Sequence, residues 1–345
     1  MADLVPPYFS IHNDLADRLL AQSDQLAGVP QRDRADVLKA ALDSVPEAMG
    51  LLGAYPALFA DGNSTASRLA FSCLLAAATF PHARREQIVD LGTLSVILFA
   101  VDDIADSSAG DRTDRDVIAL FRRLSSVLSG APLVADVGPH PMEQAIHAWQ
   151  TWCARFRAYD GADVYVPMLM EELERTGGGM ARERVWATGA EPWPSYEEYL
   201  DNGVLTILYH AWWLAALGIC GPRPEDAAAY WRPIGPANDL GAACVRLAND
   251  VRTFERERSE GKPNSVLILE RAGMSAEAAV ERVSAHIVEL NAEFATAIAH
   301  LPAELRWVGE AQHRCVTFSG GWYRARDTHA YTVRELAADV DAHGS

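Results

Sequence analysis

Helical periodicity along almost the whole chain limits what this sequence can fold into more than any other feature. Apolar residues recur three and four positions apart, and strand-like alternation is scarce. Three segments, Leu91–Ile104, Leu205–Ile219 and Leu240–Ala248, are apolar nearly all round. A helix without a polar face has to lie inside a bundle. Gly, Pro and Asp cluster at 107–111, 129–141, 189–194, 221–224 and 261–264, which marks breaks between helices. Gly177-Gly178-Gly179 is followed by no Gly-Lys-Ser/Thr and reads as a further helix break, not a phosphate loop. No repeat, low-complexity tract or long linker divides the pattern. The expected architecture is all-α, a single-domain helical bundle over residues 1–345. Its helical core is expected at roughly 12–340.

Charge and cysteine content narrow the partners. The chain has 30 Lys and Arg against 47 Asp and Glu, a net charge of −17. That balance argues against a nucleic-acid ligand and against an anionic membrane surface. Residues 1–10 carry neither a basic n-region nor an apolar h-region. The apolar run Ile207–Cys220 is shorter than the ~20 residues of a membrane span and contains His210, so no span is expected. Five well-separated cysteines without a CxxC pair read as free thiols of a cytoplasmic protein. No paired histidines or HExxH motif suggest zinc. His210, in ILYHAWW, reads as a satisfied core histidine or as a base.

Two acidic stripes carry the chemistry. The apolar segment Ser95–Val101 runs directly into Asp102-Asp103-Ile104-Ala105-Asp106. Helical spacing puts Asp102 and Asp106 on one face, with Asp103 beside them and Phe99 one turn below. Three carboxylates at the negative end of a helix dipole call for a cation, and oxygen-only ligands favour Mg²⁺ or Mn²⁺. The competing reading is a solvated helix end. The second stripe is Asn249, Thr253 and Glu257, spaced i, i+4, i+8, an amide, a hydroxyl and a carboxylate for one divalent ion. Arg246 lies one turn before Asn249, and Arg256 is adjacent to Glu257, where either could hold phosphate oxygens. The polar turn Ser259–Pro263, with Lys262, could close over such a site. A charged surface helix laced with Arg–Glu pairs is the alternative.

Together, DDIAD at Asp102–Asp106 and NDVRTFERE at Asn249–Glu257 resemble the paired metal motifs of class I terpene synthases. Glu260-Gly261-Lys262 followed by Asn264-Ser265-Val266 is similar to a segment of kaurene-synthase-like diterpene synthases. Asp201-Asn202-Gly203-Val204-Leu205-Thr206 is similar to their helix break, and Arg246 matches the arginine before their second motif. The resemblance implies a bundle that binds an isoprenoid diphosphate substrate through Mg²⁺, three ions in all, with Mn²⁺ as a substitute. Asp102, Asp103, Asp106, Asn249, Thr253 and Glu257 are the implied catalytic set. It implies a labdane-related diterpene synthase acting on a copalyl-type diphosphate made by a separate class II cyclase. Ionisation then leaves an allyl cation to cyclise in a pocket with π faces, closed by deprotonation or water capture.

Phe99, Trp186, Trp212, Trp213 and Trp322 are the pocket candidates, with core packing the alternative for each. Gly203 is expected to kink its helix and expose carbonyls beside the Thr206 hydroxyl, or else to be a packing glycine. This chain departs from the family in two places. Gly203 or Val204 stands where most bacterial sesquiterpene cyclases carry a diphosphate-sensing arginine, which argues against that branch. Ala330-Tyr331 replaces a C-terminal Arg-Tyr pair, with Arg324 and Arg326 as nearby substitutes. No DxDD motif supports class II chemistry. Direct cyclisation of linear geranylgeranyl or farnesyl diphosphate, prenyl chain elongation, and a non-catalytic helical binding protein are the competing functions. A homodimer is left open.

Overall fold

The computed structural model describes residues 25–59, 61–106, 113–132, 138, 140–326, 328 and 331–343. These form α-helices with two single-turn 3₁₀ segments and no strand. In chain order the helices are α1 (Arg34–Leu52), α2 (Gly62–Thr79), α3 (Arg85–Asp106), α4 (Asp114–Leu128) and α5 (Pro141–Phe156). Next come α6 (Ala162–Ala187), α7 (Tyr196–Thr206), α8 (Tyr209–Cys220), α9 (Ala227–Trp231) and α10 (Gly235–Glu260). The chain continues with α11 (Ser265–Arg271), α12 (Ala276–Ala299), α13 (Arg306–Ala325) and α14 (Val333–His343).

The all-α expectation holds. One apolar cluster running from Leu26 to Leu336 draws side chains from most of these helices. α3 is buried along nearly its full length, from Gln87 to Ala105, as its unbroken apolar sequence requires. Local chemistry sets the helix ends. Ser195 caps α7 in a reciprocal capping box with Glu198, and Asn264 caps α11 through the Val266 amide. Among the described residues the expected breaks at 129–141, 189–194, 221–224 and 261–264 fall between helices, with Pro141 opening α5. The break at 107–111 lies outside the described residues.

Two expectations are corrected. Gly177-Gly178-Gly179 does not interrupt a helix but lies within the 26-residue α6. A Cβ at Gly177 would stand 2.5 Å from Cβ of Phe121, so this glycine lets α4 and α6 approach closely. Nor is Leu205–Ile219 continuous, since Leu208 adopts a left-handed φ of 60° between α7 and α8. Tyr196–Cys220 is long and apolar enough to cross a membrane, but 78% of its apolar window is buried inside the protein and Leu208 breaks it.

Candidate active site

α3 and α10 bring the two stripes to the mouth of one cavity of about 760 Å³. Asp102, Asp103 and Asp106 line it from α3, and Asn249, Arg256 and Glu257 line it from α10. Six carboxylates and five cationic side chains line the cavity in all, so the site is far closer to neutral than the whole chain. Phe71, Leu75, Leu98, Phe99, Tyr209 and Trp212 form the apolar wall beneath.

The acids are strained electrostatically. Burial, then repulsion from Asp106, Asp103 and Glu183, holds the Asp102 carboxyl well above its usual range. Glu257 is also raised, first by burial and then by Asp250. Protein cations reach in to relieve the rest. Arg68 grips Asp103 through two bonds of 2.6 and 3.2 Å, and Lys262 Nζ lies 3.1 Å from Asp106. Lys262 sits just past the end of α10, so the polar turn does reach across to α3.

Among the described residues no three acidic, histidine or cysteine side chains converge on one point. The donors are instead split between two facing helices. A split, oxygen-only set fits a hard cation such as Mg²⁺, which is held by one or two carboxylates and completed by water and substrate phosphates. A carboxyl raised by burial and by its acidic neighbours, as Asp102 is, fits such a set. Thr253 lies behind the cavity lining, 2% exposed, and donates its hydroxyl hydrogen to the Asn249 carbonyl at 3.0 Å. Its oxygen lone pairs are the only ligating capacity left to it.

Several residues that sequence reasoning passed over hold this arrangement. Asn264 donates to Glu257 at 2.7 Å and to the Asp250 carbonyl at 3.0 Å, fixing the end of the second stripe. Glu183 on α6 accepts from Thr206 at 2.7 Å and from Asn202 at 3.3 Å. Asp250 is 0% exposed, accepting from Tyr199 at 3.1 Å and from the Ser265 amide at 3.2 Å. Burial raises the carboxyls of both Glu183 and Asp250. The Asn202 and Thr206 contacts gave Glu183 its only legible signal, because a buried helix break needs a partner for its polar side chains.

The expected substrate contacts divide. Phe99, Thr206, Arg256 and Lys262 line the cavity, as does Trp212. Arg246 also borders it, but its guanidinium is already engaged. It pairs with Glu183 at 3.5 Å and Asp250 at 3.1 Å, donates to Thr206 and Tyr199, and stacks on the Tyr199 ring. Gly203 does not line the cavity, and the chain breaks at Leu208 instead. A Cβ at Gly203 would stand 3.0 Å from Arg246 Cγ, so this glycine makes room for the arginine stem.

Trp186, Trp213, Trp322, Arg324 and Tyr331 are corrected out of the lining. Trp213 packs edge-on behind Trp212 with ring centroids 5.6 Å apart, and Trp322 packs edge-on behind Phe71 at 4.8 Å. Each supports the wall from one layer back. Trp186 belongs to a separate small cluster with Tyr199 and Ile268. Arg324 is exposed. Tyr331 is 1% exposed, bonds to Asp339, and carries Arg326 over its ring at 4.8 Å. An Arg–Tyr pair thus exists near the C-terminus, outside the cavity lining, while Ala330 lies outside the described residues.

The family model for the C-terminal metal-binding region of terpene synthase family 2 matches residues 93–293, which contain both stripes. The chain belongs to the terpene synthase family. Divalent-metal dependence comes with that membership. Among relatives of this terpene synthase, an ent-beyerene synthase of Oryza sativa subsp. japonica is 35% identical over 103 residues, 29% of this chain and 13% of that protein. An ent-kaur-16-ene synthase of the same organism is 36% identical over 76 residues, 22% of this chain and 10% of that protein. An (R)-linalool synthase of Picea glauca is 32% identical over 109 residues, 29% of this chain and 17% of that protein. The matches therefore span less than a fifth of the length of these relatives. The fold is similar to that of a linalool/nerolidol synthase from Streptomyces clavuligerus, with a TM-score of 0.66 at 18% identity, covering 81% of this chain and 94% of that one. It is equally similar to abietadiene synthase from Abies grandis, with a TM-score of 0.66 at 16% identity, covering 90% and 40%.

Proposed function

We propose that this chain is a class I diterpene synthase that ionises a bicyclic, copalyl-type diphosphate and cyclises or rearranges the resulting cation to a diterpene. One observation carries the reading: oxygen donors from two facing helices stand at the mouth of a cavity whose wall is aromatic and aliphatic. Asp102 and Asp106 would hold Mg²⁺ from one side, and Asn249, Thr253 and Glu257 from the other, with three ions in all and Mn²⁺ able to replace them. When bound, the metal supplies Lewis-acid stabilisation of the departing diphosphate.

The protein's own groups do the rest. Arg256 and Lys262 donate charge-assisted hydrogen bonds to the leaving group, and Lys262 turns from Asp106 to do so. Asn264 keeps Glu257 oriented. Phe71, Phe99 and Trp212 present π faces that favour a cation and exclude water.

The matches to ent-kaurene-type enzymes support the bicyclic substrate, which a separate class II cyclase would supply. The match of similar identity to a linalool synthase supports a second reading, direct use of linear geranylgeranyl or farnesyl diphosphate. We read residues 1–345 as one α domain working in the cytoplasm, in keeping with five free cysteines. A panel crossing linear and bicyclic diphosphates, with Mg²⁺ and GC-MS detection, tests the assignment. Conversion of a copalyl-type isomer with only trace linear turnover is expected. Efficient cyclisation of a linear substrate alone would refute it.

A further inference from the structure

α3 serves the cavity at two depths. Asp102, Asp103 and Asp106 stand at its mouth, and Ser95 of the same helix also lines it. Ser95 precedes Asp102 by nearly two turns, so it shares that face about 10 Å down the helix. It is 5% exposed, and its hydroxyl donates to the Leu91 carbonyl at 3.0 Å. With that hydrogen committed, the oxygen can only accept. It accepts the indole N–H of Trp212 on α8, again at 3.0 Å. One hydrogen-bonded chain thus runs from Trp212 through Ser95 into the backbone of α3.

Ring contacts hold the rest of Trp212. Phe80 stacks on the indole with centroids 6.3 Å apart and planes 19° from parallel, and Trp213 meets it edge-on. Those contacts fix the plane of the ring better than its sense. An indole turned over about its Cβ–Cγ bond fills a similar flat space, but it carries its N–H away from Ser95. A buried donor left unpaired in an apolar wall is costly, so the serine hydroxyl selects one of the two orientations. The choice matters because Trp212 lines the cavity and its indole is not uniform. The ring face is negative and attracts a cation, while the edge, with its N–H, is positive and repels one.

We propose that Ser95 is a positioning residue for this chemistry: by anchoring the Trp212 indole it sets which carbons of the substrate skeleton are stabilised as cations, and so which product dominates. The inference rests on the lyase reading above. Ser95 makes and breaks no substrate bond and acts through Trp212 alone. A serine that merely fills space in the cavity would instead act the same way whatever residue stands at 212.

The test is a double-mutant cycle over Ser95→Ala and Trp212→Phe, with Ser95→Thr as the conservative variant that keeps the hydroxyl. Linear and bicyclic diphosphates are supplied with Mg²⁺, and diphosphate release and product ratios by GC-MS are measured together. Ser95→Ala should lower the ratio of main to minor products about three- to tenfold, the effect of one lost hydrogen bond. Ser95→Thr should largely restore the ratio. In the Trp212→Phe background, where no indole N–H remains, Ser95→Ala should change it by less than about twofold. An unchanged ratio in Ser95→Ala, or the same change in both backgrounds, overturns the proposal. Ultraviolet resonance Raman spectra of the resting proteins, with the Trp212→Phe counterpart subtracted from each, isolate the Trp212 indole. Its N–H band should report a weaker hydrogen bond in Ser95→Ala than in the wild-type protein or Ser95→Thr, and no shift overturns the anchor without any substrate. Absence of diphosphate release with every substrate overturns the lyase reading, and the product role of Ser95 falls with it.

Discussion

Arg246→Met separates a structural role for this arginine from a substrate-binding one. The side chain is 12% exposed and lies 3.1 Å from Asp250, itself fully buried, and 3.5 Å from Glu183. Methionine keeps an apolar stem against Gly203, so the loss is mainly electrostatic. Removing one partner of a buried pair costs about 3–5 kcal/mol, because the remaining charge is left uncompensated. The cost depends on pH. Burial raises both carboxyls and Arg246 opposes that rise, so in the variant they rise further. A carboxyl raised in the folded state contributes stability at low pH and loses it as pH climbs through its folded value. The deficit should therefore be full at about pH 8 and distinctly smaller at about pH 5. Urea unfolding followed by circular dichroism at the two pH values measures it. A deficit below about 1 kcal/mol at both would place Arg246 with weakly held surface charges and refute its role in a buried ion pair.

Three further outcomes follow from the same geometry. Asp102 and Glu257 are raised carboxyls, so ionising them destabilises the metal-free protein. Millimolar Mg²⁺ should thus raise the melting temperature more at about pH 8 than at about pH 5, since ligation displaces protons. An equal or absent shift in differential scanning fluorimetry would count against the metal assignment. Trp212→Phe should change product distribution by GC-MS, whereas Trp213→Phe, one layer back, should act mainly on stability, and the reverse pattern would contradict the cavity lining. Gly177→Ala forces a Cβ to within 2.5 Å of Phe121 and should cost about 1–3 kcal/mol by overpacking, while an unchanged urea midpoint would show that α4 and α6 can separate freely.

Periodicity made the bundle legible because its helices are long and its breaks rich in Gly and Pro. The two stripes were legible because oxygen-bearing side chains on one helix face leave a fixed spacing, and Asn249, Thr253 and Glu257 show it plainly. Direction inside the bundle was not legible. Trp212 and Trp213 are neighbours on a helix apolar all round, so no pattern tells which one faces the cavity. The glycine run misled for a related reason: its role lies in the approach of α4 to α6, a tertiary contact that local propensity cannot register. Arg246 borders the cavity, but its partners Glu183 and Asp250 come from packing, and they turn its guanidinium inward. The net charge of −17 does not describe the cavity, where Arg68, Arg184, Arg246, Arg256 and Lys262 nearly balance the acids that line it.

The central claim is that carboxylates on α3 and α10 ionise an allylic diphosphate through a divalent metal. Diphosphate release from a copalyl-type substrate, measured for the wild-type protein, Asp102→Ala and Glu257→Ala with Mg²⁺ and with EDTA, tests it most directly. The account expects release only in the wild-type protein with Mg²⁺, with both variants folded by circular dichroism and at least a thousandfold slower. Release that survives EDTA, or either substitution, would contradict it.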